Sequence, residues 1–99
     1  MTINEFTKFL DDNRIIYKKE NVNGLDLVYA YGRPEKLIDP FDHKTVHIFT
    51  PYLRVSHFDE KPGHWYTRDC GICDWKSVEW ILNKVMEFSL NKIENKEEK

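Results

Sequence analysis

Disulfide chemistry is the first thing this chain lacks. Its two cysteines, Cys70 and Cys73, lie too close together to staple a fold, so no secreted disulfide framework is present. No apolar run approaches the ~18 residues a membrane span requires, and no signal-peptide pattern opens the chain. Charge of one sign is missing as well: 15 Lys and Arg stand against 17 Asp and Glu, a net charge of −2. That balance excludes a strongly basic nucleic-acid binder driven by charge alone, and equally a heavily acidic mimic of DNA. Gly-rich phosphate loops, GxSxG, HExxH and carboxylate pairs in an apolar setting are all absent, which leaves catalysis little to stand on. The expectation is a non-enzymatic, cytoplasmic protein.

What is present suits one small globular domain. The chain has 99 residues, and 40% hydrophobic content with 14% aromatics argues against a wholly disordered chain. A chain of this length buries only ~60–65% of its unfolded surface, so one core is the limit. No repeat or linker divides it. Thr2-Ile3-Asn4-Glu5 reads as a capping box ahead of an apolar stripe of Ile3, Phe6, Phe9 and Leu10, which predicts a helix ending near Asp11-Asp12-Asn13. Two extended runs, 15–21 and 25–31, flank Val22-Asn23-Gly24. A three-residue loop with Gly24 left-handed gathers Ile15 and Tyr17 beside Leu25, Leu27, Tyr29 and Tyr31, and so is preferred over a two-residue loop.

Residues 32–44, with Arg33-Pro34 and Asp39-Pro40, read as a surface loop with a single turn. Strands follow over 45–50, 52–58 and 64–68, the last two joined by a type II turn at Lys61-Pro62-Gly63-His64. Asp74 is the expected cap of a long final helix, whose stripe of Trp75, Val78, Ile81, Leu82, Val85, Met86 and Phe88 extends to Ile93. The fold class is therefore α+β. A helix, an antiparallel meander of four to five strands and a long helix form a domain over 1–92, with both helices on one sheet face and a charged tail over 93–99.

Four features compete for function. Cys70 and Cys73 can bite one zinc ion, with His64 and His57 as further ligands; His43 and His47 are the other candidates. Recognised zinc-finger spacing is missing, so the motif is half a site, and the plain alternative is two small thiols under a helix N-terminus. Strand, Cys-Gly-Ile-Cys and helix locally resemble the thioredoxin active site. The resemblance covers only that stretch, and the chain after Cys73 has no room for the remaining strands that it implies. Trp80 lies about 200° round the final helix from Val78, beside Lys76, Lys84 and Glu87, where an exposed indole signals contact. Finally, Tyr52, Arg54, His57, Phe58, Trp65, Tyr66 and Arg68 interleave aromatic and basic groups over two strands, a pattern that can stack single-stranded nucleic acid. Trp65 and Trp75 are read as core. Asp39, Asp42, His43 and His47 cluster near one loop, but in four scattered histidines ordinary surface groups are the simpler reading.

Elimination sets the functional expectation: a small protein-interaction module without cofactor. Its partner surface is expected to combine Trp80, Lys76, Lys84 and Glu87 with Arg33 and Lys36 of the 33–44 loop and with Tyr52 and Arg54 of the sheet. Abundant Lys, Asn and Ile with a single alanine, Ala30, suggest an AT-rich genome and a bacterial or mobile-element setting. An inhibitor of a host defence nuclease, in the manner of anti-CRISPR proteins and acting by steric occlusion, is the specific expectation. The alternative is a zinc-stabilised module contacting single-stranded nucleic acid. A homodimer through the same surfaces is compatible with either, and no membrane association is expected.

Overall fold

The Glu5 N–H donates to the Thr2 hydroxyl at 3.1 Å and the Thr2 N–H donates back to Glu5 Oε1 at 2.9 Å, closing the expected capping box. It starts α1 (Ile3–Asp12) in a computed structural model that describes residues 1–90. The helix buries Phe6 and Leu10 fully and Ile3 and Phe9 in part. It stops at Asn13, whose side-chain amide returns to the Phe9 carbonyl at 2.8 Å.

Strands β1 (Ile16–Val22) and β2 (Leu25–Tyr31) follow as a hairpin. Val22 pairs with Leu25, so the loop is the two residues Asn23 and Gly24, with φ of 52° and 86°. The three-residue loop is thereby corrected. Asn-Gly is the preferred pair for a type I′ turn, whose twist matches that of the strands. The face criterion misled because β2 has apolar side chains on both faces: Val28 and Ala30 enter the core, while Leu27, Tyr29 and Tyr31 line the opposite side.

The expected loop over 32–44 is also corrected. Strands β3 (Glu35–Ile38) and β4 (Val46–Phe49) pair with each other in a separate two-stranded ribbon, all eight residues exposed. The chain then returns as β5 (Tyr52–Lys61), β6 (His64–Asp69) and β7 (Ile72–Ser77). The main sheet is antiparallel, in the order β1-β2-β5-β6-β7. Gly63, with φ 70°, supplies the left-handed position that a type II turn between β5 and β6 demands.

The last helix departs most from expectation. Residues 72–77 are strand, Asp74 lies within it, and Ser77 caps α2 (Val78–Met86), its hydroxyl accepting the Trp80 N–H at 3.1 Å. Cys70 and Gly71, at φ 50° and 104°, reverse the chain so that β7 pairs along β6 and covers an edge otherwise left open. The helix has nine residues, and its expected continuation to Ile93 and the tail over 93–99 lie outside the described residues. Both helices nonetheless serve one sheet face. Phe6, Leu10, Ile81, Val85 and Phe88 join Val28, Ala30, Leu53, Val55 and Trp65 in a single core. Trp65, 2% exposed, meets Phe6 and Phe58 edge-on at centroid distances of 5.1 and 4.8 Å.

Candidate functional site

The side of the sheet that faces away from the helices is an aromatic and basic surface. Pairing registers place Lys18, Tyr29, Arg54, Arg68 and Cys73 on one rung across all five strands, and Glu20, Leu27, Ser56, Tyr66 and Trp75 on the next. Tyr31 pairs with Tyr52 on the rung beyond. A bulge adds one more ring: the register shifts after Ser56, and His57 takes φ 56°. His57 thus meets Tyr66 and Trp75 at centroid distances of 5.5 and 5.9 Å, while Phe58 turns back to pack against Phe6 and Trp65. Lys61 sets its ammonium 5.3 Å from the Trp75 ring. The Cys73 sulfur beside the Tyr66 hydroxyl pushes that phenol's pKa up, and Arg54 opposes the shift. Trp75, expected in the core, is therefore a half-buried member of this outer surface.

The second feature is the ribbon of β3 and β4, which projects as an arm. One face carries Ile38, Val46 and Ile48 with Lys36; the other carries Leu37 and Phe49 with Glu35 and His47. Ile38 is 65% and Ile48 63% exposed, and Phe41 at the tip is 93% exposed. The tip is nonetheless well ordered by hydrogen bonds. Asp39 accepts the Phe41 N–H at 2.7 Å, and its other oxygen lies 3.1 Å from His47 Nε2. Asp42 accepts the Lys44 and Thr45 N–H groups at 2.8 and 2.9 Å and also the Thr45 hydroxyl. The Phe41 N–H on Asp39 and the Thr45 hydroxyl on Asp42 are the main causes holding these carboxyls below their ordinary value of 3.8. The acid–histidine cluster seen in the sequence is thus a loop-fastening device.

The expected partner residues do not form one surface. Arg33, Lys84 and Glu87 line a groove of about 440 Å³ at the root of the arm, where Lys84 lies 3.7 Å from Asp69 and 3.5 Å from Glu87. Lys36 is out on the arm, and Tyr52 and Arg54 point from β5 to the side away from the helices. Trp80, expected to be exposed, is half-buried: its ring packs against the core and carries the Lys76 ammonium 4.8 Å from its centroid. The angle from Val78 holds, because both residues lie in α2, but the indole is large enough to reach the edge of the core from that position.

The cysteines are corrected as well. Cys70 and Cys73 lie at and beside a β-turn, not at a helix N-terminus, and both are exposed. The Cys70 thiol donates to the Tyr52 carbonyl at 3.6 Å. His64 stands at the opposite end of β6, six residues from Cys70 and so roughly 20 Å along an extended strand. His57 faces Tyr66 and Trp75. No group of three or more metal-ligating side chains occurs among the described residues.

Sequence reasoning missed Phe41, Tyr29 and Tyr31 as surface groups. For Phe41 the signal was there: Asp39, Pro40 and Asp42 are turn formers between Leu37-Ile38 and Thr45-Val46. No protein-family model matches the chain, and no curated protein or solved structure is significantly similar to it.

Proposed function

We propose that this protein is a non-enzymatic binding module that docks on another protein through the β3–β4 arm, with Phe41 as its anchor. The observation that carries the proposal is the 93% exposure of Phe41 on a tip already fastened by Asp39 and Asp42. A preformed loop loses little conformational entropy on binding, and one buried aromatic removes ~150–250 Å² from water. Ile38, Val46 and Ile48 extend the apolar strip, while Lys36, Glu35 and Lys44 supply a charged rim. The mechanism is steric: the arm occupies a cleft that the partner uses. A nucleic-acid-processing enzyme of a bacterial host, of the kind blocked by anti-CRISPR proteins, is the first partner class to test.

The test compares the parent with Phe41→Ala in crosslinking and pull-down from bacterial lysate, followed by activity assays on whatever is captured. Phe41→Ala is expected to leave the melting temperature unchanged and to weaken capture by about 30-fold or more, the scale of a central hot spot. Equal capture of the same protein by the variant would refute the arm as the docking element. Capture without any effect on the partner's activity would refute occlusion.

A further inference from the structure

Arg54 and Arg68 stand directly opposite each other on β5 and β6. Cross-strand neighbours have Cβ atoms ~4.5–5.5 Å apart, and like charges at that spacing destabilise a sheet. Neither guanidinium has a hydrogen bond or ion pair with a described residue, and Arg54 Nε is buried without a partner. Along β1, β2, β6, β7 and the 52–56 stretch of β5, the only carboxylate on this face is Glu20, which is already paired with Lys18. The two arginines and Tyr29, Tyr31 and Tyr52 line a cavity of about 210 Å³. Two uncompensated cations facing one another beside stacked rings form a surface completed by an anion.

We infer that this uncovered face binds single-stranded nucleic acid, with two neighbouring backbone phosphates on Arg54 and Arg68, one on each, and bases on the flanking rings. The aromatic content selects the occupant. A free phosphate has no use for Tyr29 and Tyr31, whose rings lie nearly parallel at 6.3 Å. An acidic peptide supplies carboxylates but no flat faces for Tyr52, Tyr66 or Trp75. A single strand offers both, whereas a duplex hides its base faces within its own stack. The net charge of −2 does not oppose this, because the carboxylates are largely elsewhere: Asp11 and Asp12 end α1, Asp39 and Asp42 fasten the arm tip, and Asp69 pairs with Lys84.

The experiment is a fluorescence-anisotropy titration of a labelled oligothymidylate of about 12 nucleotides across a salt series. With two phosphates neutralised, the affinity should fall with salt at a logarithmic slope of about −1.4, at ~0.7 per single-strand contact. Arg68→Gln, at an exposed position, should bring that slope to about −0.7 and weaken binding about tenfold. Arg54→Gln should do the same while melting no earlier than the parent, since it removes a repulsion. Tyr31→Leu should weaken binding about tenfold with the slope unchanged, because it removes stacking and leaves the charges. Phe41→Ala should bind the strand as the parent does, which separates this site from the arm. No binding at low salt, binding indifferent to both arginine variants, or equally tight binding of polyglutamate would each overturn the inference.

Discussion

Gly32 sits where β2 leaves the sheet for the arm, and a Cβ there would lie 2.8 Å from Phe88 Cδ1 and 2.8 Å from Pro51 Cγ. Phe88 is buried against the core, and the Gly32 N–H donates to the Pro51 carbonyl at 2.8 Å, so neither neighbour has room to retreat. Gly32→Ala should therefore destabilise the fold by ~1–3 kcal/mol, read by urea denaturation, as overpacking does elsewhere. A wild-type midpoint would show that the ring swings aside at no cost. Trp80 illustrates how a single residue escapes a sequence argument. Its angle from Val78 is right, since both lie in α2, but a helical wheel does not show that so large a side chain lies back on the edge of the core beneath Lys76. Thr2 and Glu5 were legible because a capping box involves only residues three apart, whose geometry no distant contact can change.

Among the elements, the arm tip makes a pH-dependent prediction. The carboxyl groups of Asp39 and Asp42 are held below their ordinary value of 3.8 by the backbone and hydroxyl groups that donate to them. A lowered pKa contributes order that is complete above the ordinary value and is lost as pH falls through the lower value in the folded loop. The Phe41, Lys44 and Thr45 amide resonances should thus shift as the pH falls below about 4. Resonances that stay in place below pH 4 would mean that some other group fastens the loop. The final helix shows why element type was harder to read than element position. Trp75, Val78, Ile81 and Val85 satisfy a helical period, but the first of them is drawn into β7 by an unpaired strand edge. The Pro62-Gly63 turn was readable, since Pro presets one dihedral and Gly permits the other.

At the scale of the whole molecule, the arm is an insertion in an otherwise ordinary hairpin. Tyr31 pairs with Tyr52 at its base, and none of the residues 35–49 is buried. Replacing residues 35–49 by a short Gly-rich turn should leave melting close to that of the parent, abolish capture of a protein partner and preserve binding of a single strand. Unfolding of the shortened protein would show that the arm supports the core. That outcome would separate the two proposed surfaces on one scaffold, an apolar arm for a protein and a cationic aromatic sheet for an anion.

Local chemistry settled α1 and its cap, the turn at Pro62-Gly63, the course of β5 and β6, and the α+β class, because each depends on residues close in sequence or on total apolar content. Tertiary contacts alone decided that 35–49 is a ribbon, that 72–77 is a strand, and that Tyr29, Tyr31, Arg54 and Arg68 converge. The physical reason is that strand pairing joins residues far apart along the chain. A side chain's exposure therefore depends on which backbone edge remains to be satisfied, a quantity no short window of sequence contains.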